Sequence, residues 1–330
     1  VAGSPGAAGS PGAAGQGAGS PGAAGQGAGS PDAASQGAGS PDAAGRLFGR
    51  LSVLPALLAM AWLLAGLPLL LAGRFTLVLM LVVSVPLAAL LIYLGLRWIP
   101  GRWQSALPQG PQQVRTPWWA VAGVIAVAAA FGAHQLIYHS PQIIVERDPA
   151  SYMQFAYWIA HHGSLPIPQA RAAFGGTHQL LHFGSLAFYQ VGGNVVPQFM
   201  AGLPMVAAAG FWVGGVGAAV LVAPLLGACA VLTFGGLAAR LTGPRWAPLA
   251  ALVLALSLPE QFTSRSSYSE PLAQILLLGG LCLVIDALVG GAGARVMAAL
   301  GGLALGLTLV VRIDGVSDIL PVIPYCGMLL

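Results

Sequence analysis

Lysine is missing from this chain and charge of either sign is scarce: Asp, Glu, Lys and Arg make up 7% of the 330 residues, and all thirteen basic side chains are Arg. A soluble domain carries about a quarter of its residues as charges. With 57% apolar residues and a mean hydropathy of +0.81, the composition excludes an ordinary soluble domain and leaves a membrane protein. Cysteine is sparse too. Cys229, Cys282 and Cys326 each sit inside an apolar run, which argues against a disulfide framework or a clustered zinc site and leaves packing as their role. The pI of 9.3 calls for no nucleic acid, because excess Arg in a polytopic protein marks loops on the cytoplasmic face. The chain opens without a charged segment, apolar core and cleavage site, so no signal peptide is expected as written.

What the chain does have is repetition, then long apolar runs. Residues 1–45 repeat a ten-residue unit: GSPGAAGQGA begins at Gly9 and Gly19 and decays to GSPDAASQGA at Gly29. Gly, Ala, Ser and Pro in this proportion bury too little apolar surface to offset the entropy of ordering, so a disordered tail is expected. Gly recurs every third residue from Gly3 to Gly15, but Gly17 breaks the phase, which argues against a collagen helix.

An apolar helix of about 20 residues crosses a bilayer. Eight runs read as spans, 51–72, 75–96, 118–138, 216–239, 246–258, 271–289, 296–311 and 316–330, of which the fifth and the last are short. The expected fold class is all-α, a polytopic transmembrane bundle. A hairpin and cytoplasmic loop occupy 46–116, and a core with a large outer loop over 139–215 occupies 117–330. A connection of that length is usually functional. Within it Asp148, Pro149 and Gly163 stand where a helix places its N-cap, first residue and terminator. Tyr152, Phe155, Ala156 and Ile159 recur at helical spacing, giving an apolar stripe suited to the membrane surface. Residues 197–213 are apolar but broken by Gly202 and Pro204, and read as an interfacial or re-entrant helix.

With the N-terminus cytoplasmic, Arg46, Arg50, Arg97, Arg102, Arg115, Arg240, Arg245 and Arg295 lie inside, and Arg74, Arg147, Arg171, Arg265 and Arg312 outside. This is the bias expected of a multi-pass protein of the cell membrane. Trp98, Trp103, Trp118, Trp119 and Trp246 then form an aromatic belt on the cytoplasmic side, where amphipathic rings prefer to sit. The same topology gathers Glu146, Asp148, Glu260, Glu270, Asp314 and Asp318 at the outer face, with loop 139–215 extracytoplasmic. Asp286, near the inner end of its span, is expected to meet cytoplasmic water.

Asp148 could act as general base for an acceptor hydroxyl or as a metal ligand beside a phosphate, and could equally be only a helix cap. Glu270 opens a span ahead of Pro271, where the helix dipole favours an acid with or without a catalytic role. Arg265 and Tyr268 precede it, and Arg312 and Asp314 stand at the outer end of the next hairpin. Ionisable groups at the bilayer boundary are functional-site candidates. Arg147, Arg265 and Arg312 suit a phosphate and suit salt bridges to Glu146, Glu270 and Asp314 as well. Tyr152, one turn beyond Asp148, joins them as a substrate-binding candidate. All six histidines fall between His134 and His182; His178 and His182 have the spacing of two ligands on one helix face, with no third in sight,.

In order and placement, the chain resembles the GT-C superfamily of polytopic membrane glycosyltransferases, which includes protein mannosyltransferases and the aminoarabinose and arabinofuranosyl transferases. The resemblance covers roughly residues 120–330: a span, an outer loop opening with ERDPASY, a broken apolar segment PQFMAGLPMVAAAG, then hairpins whose outer ends carry an acid, as in RSSYSEPLAQ. It implies a sugar drawn from a polyprenyl-phosphate donor and passed to a glycan or protein acceptor at the outer membrane face. By the same resemblance Asp148 is catalytic base or metal ligand with Glu146 beside it, Glu270 is the later acid, and Arg265 or Arg312 meets the lipid phosphate, with a divalent cation assisting. Two extra spans precede the usual first one, Asp-Pro stands where many relatives have paired acids, and the chain stops at PYCGMLL inside an apolar run, as a truncated fragment would. The rival expectations are a secondary transporter, which places charge near the bilayer midplane on broken helices, and a non-catalytic membrane subunit.

Overall fold

A computed structural model describes residues 42–100, 103–104, 113–141, 148–176, 178, 180 and 187–324. The repeat tail, Glu146, Arg147, His182 and Cys326 therefore lie outside the described residues. Helix α1 (Ala43–Leu71) starts earlier than the sequence pattern suggests, because Asp42 caps it by accepting the Gly45 N–H at 3.1 Å. Asp42 also accepts the Thr116 N–H at 2.6 Å. Burial alone would raise this carboxyl, but these backbone donors outweigh it and hold the group below its ordinary range,.

After α1 come α2 (Leu77–Arg97), a short antiparallel pairing of β1 (Trp103–Gln104) with β2 (Gln113–Val114), and α3 (Trp118–Ile137). Helix α4 (Asp148–His162) follows, then β3 (Ile167–Pro168), β4 (Phe188–Val191) and β5 (Asn194–Pro197), an antiparallel sheet with β5 in the middle. The chain continues through α5 (Gly202–Ala219), α6 (Val222–Thr242), α7 (Ala247–Leu256), α8 (Leu258–Thr263), α9 (Glu270–Leu288), α10 (Ala294–Val311) and α11 (Gly315–Ile319). Among the described residues, seven helices are long and apolar enough to cross a membrane: α1, α2, α3, α5, α6, α9 and α10.

Side-chain contacts show which helix ends meet. At one end Arg240 of α6 reaches Ser52 of α1 and Asp286 of α9, and Gly293, ahead of α10, lies against Trp98 at the end of α2. At the opposite end Leu67 of α1 and Leu309 of α10 line one cavity, and Gly227 of α6 faces Ser264 and Phe131 of α3. These are called the Arg240 end and the Arg312 end below. The run expected as a fifth span is a joint pass of α7 and α8, broken at Ser257, with Pro248 against Gly123 of α3 and Gln261 bonded to Gln135. Of the run 316–330, the described part forms only the short α11 and a further turn.

Length alone misleads for α5. Its first residue, Gly202, lies against the backbone of Val310 and Val311, while Trp212 donates to the Ala160 carbonyl at 2.9 Å and stacks on Phe75 at 5.2 Å. All of these partners belong to the Arg312 end. Gly215 then takes φ +62, a conformation open to glycine, and the chain folds back so far that a Cβ on Gly210 would come within 2.5 Å of the Ala219 Cα. The helix starts and finishes at one end of the bundle; the break expected at Gly202 and Pro204 within an interfacial or re-entrant segment falls instead at Gly214 and Gly215.

Helix α4 lies across the same end. Tyr152, Phe155, Ala156 and Ile159 are all buried, so the stripe expected on the membrane surface packs instead on α5 and on the ends of the long helices. Gly163 terminates α4 at φ +65, and its carbonyl accepts the Phe75 N–H at 3.1 Å.

Asp286 departs from expectation. It has no exposed surface and pairs with Arg240 through two hydrogen bonds of 2.9 and 2.7 Å, so it does not meet cytoplasmic water. Arg240 likewise belongs to the interior rather than to a cytoplasmic loop. A charge enters an apolar bundle only with a partner, and each supplies the other's.

Candidate functional site

Two helices begin at the Arg312 end with an acid. Asp148 opens α4, and Glu270 opens α9 with Pro271 behind it. Ahead of Glu270 stands Ser269, fully buried, and beyond α10 the chain turns extended at Arg312, which carries that side chain back over α9. Asp148, Tyr152, Gln198, Phe199, Ser269, Glu270, Arg312 and Asp314 line one cavity of about 250 Å³. Asp148, Glu270 and Arg312, singled out in three separate stretches of the sequence, share one pocket.

Arg312 organises it. Its guanidinium meets Glu270 Oε1 at 2.5 Å, makes a two-pronged pair with Asp314 at 2.8 and 2.6 Å, and donates to Ser269 Oγ at 3.5 Å. Hydrogen bonding to Asp314 holds Arg312 above its ordinary range and the Asp314 carboxyl below its own. The Tyr152 hydroxyl bonds Ser269 Oγ at 2.9 Å. Burial pushes that phenol up to about 12, against the opposing pull of the Ser269 bond, so Tyr152 is a neutral hydrogen-bond group at neutral pH.

Three carboxylates, Asp148, Glu270 and Asp314, line the pocket beside one guanidinium, so the pocket is acidic. Glu270 Oε2 is buried with no protein partner. Arg312 engages two of the three carboxylates, and among the described residues no three ligating side chains converge on one point; Glu146 lies outside the described residues.

The other expected residues are placed elsewhere. Arg265 does not line this cavity; it is held on the α3 side, donating to Gln135 Oε1 at 3.2 Å and Gln261 Oε1 at 3.4 Å. Tyr268 packs its ring 5.2 Å from Phe262. Sequence reasoning missed Ser269, Gln198 and Phe199. Ser269 carried a local signal, the residue immediately before an acid and a proline, whereas Gln198 and Phe199 follow a strand and enter the site only through the fold.

A second, apolar cavity of about 570 Å³ adjoins the first, and the two share Phe199 and Met200. Leu67, Phe155, Leu309 and Val310 form its walls, and Val191, Asn194 and Val196 of the β4–β5 hairpin complete them. That hairpin closes in a two-residue turn, with Gly192 at φ +59, a conformation such turns demand.

Among known proteins, no family model, curated protein or solved structure matches the chain.

Proposed function

We propose that this chain is an integral-membrane glycosyltransferase that moves a sugar from a polyprenyl-phosphate donor to a glycan or protein acceptor. The observation that carries this reading is the juxtaposition of an acidic, Arg-bearing pocket with a larger apolar cavity across Phe199 and Met200. A substrate with a charged head and a long apolar tail is matched by both chambers at once. The Arg312 end faces outward, because Arg46, Arg50, Arg97, Arg115, Arg245 and Arg295 and the exposed Trp118, Trp119 and Trp246 lie toward the Arg240 end, the pattern of a cytoplasmic face.

Asp148, which the guanidinium leaves uncommitted, takes the proton of the acceptor hydroxyl. The acceptor oxygen bonds to the anomeric carbon as the bond from that carbon to the phosphate oxygen breaks, in a single inverting displacement. The departing phosphate takes up negative charge, and Arg312 stabilises it where it develops. To do so Arg312 exchanges its pair with Asp314, 58% exposed, for the phosphate; an exposed pair is weak enough to yield.

The test is transfer by the full chain in liposomes from polyprenyl-phosphate-linked sugars. D148N should lose about a hundredfold or more of the rate while still binding the lipid phosphate; full activity in D148N rejects the mechanism. A second reading, a carrier, draws on one observation: Arg240, Asp286 and Glu260 are charged side chains buried among the helices. Uptake or counterflow without any glycosyl product would favour it.

A further inference from the structure

A separate apolar groove of about 460 Å³ runs between α3 and α7 and shares no lining residue with the two cavities above. Ala126, Ala130, Phe131 and Leu252 line it, with His134 and Gln261 at its polar rim. From Ala126 to His134 it follows α3 for about 12 Å at the helical rise. Ala126, Ala130 and Leu252 are exposed, so the groove opens on the outside of the bundle.

Arg265 stands at its mouth. Gln261 of the rim accepts from Arg265 and from Gln135, the latter at 2.6 Å. Tyr138, whose ring lies 4.8 Å from His134, sits 5.9 Å beneath the guanidinium. Neutral amides and a ring thus orient Arg265 without cancelling its charge, and the ion pairs among the described residues engage Arg240 and Arg312 instead. A fixed cation at a helix-bundle end, one side chain above an outward-facing apolar groove, presents the two halves of an amphiphile's complement in the right order.

We infer that the α3–α7 groove and Arg265 bind an anionic phospholipid, its phosphodiester on the guanidinium and an acyl chain along the groove. The planar fork of Arg suits a phosphodiester, and Tyr138 is the kind of ring that settles at headgroup depth. The site is independent of the transferase reading, since it uses none of that pocket's residues.

Native mass spectrometry of the full chain in neutral detergent, titrated with dioleoyl phosphatidylglycerol or dioleoyl phosphatidylcholine, tests this. The expected result is a roughly tenfold preference for the anionic lipid, weakening as salt is raised. R265Q should abolish the preference while retaining phosphatidylcholine binding. A130W, which fills the groove from its exposed side, should lower retention of both lipids. An undiminished preference in R265Q, or its transfer to R74Q or R171Q as the sensitive variant, overturns the assignment. So does undiminished retention in A130W. Should R265Q fail to fold, the wild-type protein still decides: a preference that is absent, or indifferent to salt, rejects the site.

Discussion

Arg312 and Glu270 meet at 2.5 Å, tying the residue after α10 to the first residue of α9. Asp314 competes for the same guanidinium from the more exposed side, at 58% against 34% for Glu270. If phosphate displaces Asp314, removing its charge should help. D314N is expected to tighten binding of a polyprenyl monophosphate about two- to fivefold, with less than about 1 kcal/mol lost in stability because the pair is exposed. Arg312 lowers the Asp314 proton affinity, so the pair's contribution is present above the ordinary carboxylate range near pH 4 and is lost as pH falls through the lowered value. D314N should remove that acid sensitivity. Weaker lipid-phosphate binding in D314N would reject the exchange.

The Arg240–Asp286 pair invites a cycle of substitutions. Both side chains are wholly buried, and Arg240 also donates to Ser52 Oγ at 3.0 Å and to the Gly236 carbonyl at 2.9 Å, joining α1, α6 and α9. D286L leaves a guanidinium in an apolar interior and is expected to cost about 3–5 kcal/mol. R240M/D286L removes both charges and should recover most of that loss. Thermal unfolding in detergent measures both variants, and a D286L protein as stable as wild type would mean that the pair is not a clamp.

Close helix approach supplies a third expectation. A Cβ on Gly279 would lie 2.3 Å from the Ala56 Cβ, so α9 and α1 touch through a glycine. Small residues of this kind let helix backbones pack closely in a membrane. G279A should destabilise by about 1–3 kcal/mol. A56G/G279A returns the space and should restore much of the stability; a double variant no better than G279A would show that the backbones, not these two carbons, set the distance.

Much of this was legible along the sequence because hydrophobic length is a one-dimensional property. The spans over 51–72, 75–96 and 118–138 survive with shifted ends, and Gly163 and the acid–proline pair at Glu270 mark helix boundaries by local chemistry. What depends on packing was not. The α4 stripe at Tyr152, Phe155, Ala156 and Ile159 has the same pattern whether it meets lipid or protein, and only the fold buries it. Asp286 reads as a span-end acid until Arg240, 46 residues away, is placed beside it. Arg265 and Arg312 look equivalent in sequence, yet one faces amides and the other carboxylates. Gly202 and Pro204 advertised a broken segment, but the reversal itself falls at Gly214 and Gly215.

The Tyr152–Ser269 bond separates a positioning role from a chemical one. Tyr152 reaches Ser269 Oγ at 2.9 Å, and Ser269 accepts in turn from Arg312 at 3.5 Å. The phenol therefore steadies the guanidinium through the serine and keeps its proton, since burial lifts it from 10.0 to about 12. A group raised on folding contributes stability that is complete below its unfolded value and lost as pH climbs through the folded one. For Tyr152 the loss belongs between pH 10.0 and about 12. Y152F cannot ionise there, so its stability should be lower than wild type at neutral pH yet flatter across that window. On the proposed transferase reading, its transfer rate should fall modestly, with the shape of the neutral pH–rate profile unchanged. If Y152F instead erased a limb of that profile, Tyr152 would be moving a proton rather than holding Arg312 in place through Ser269.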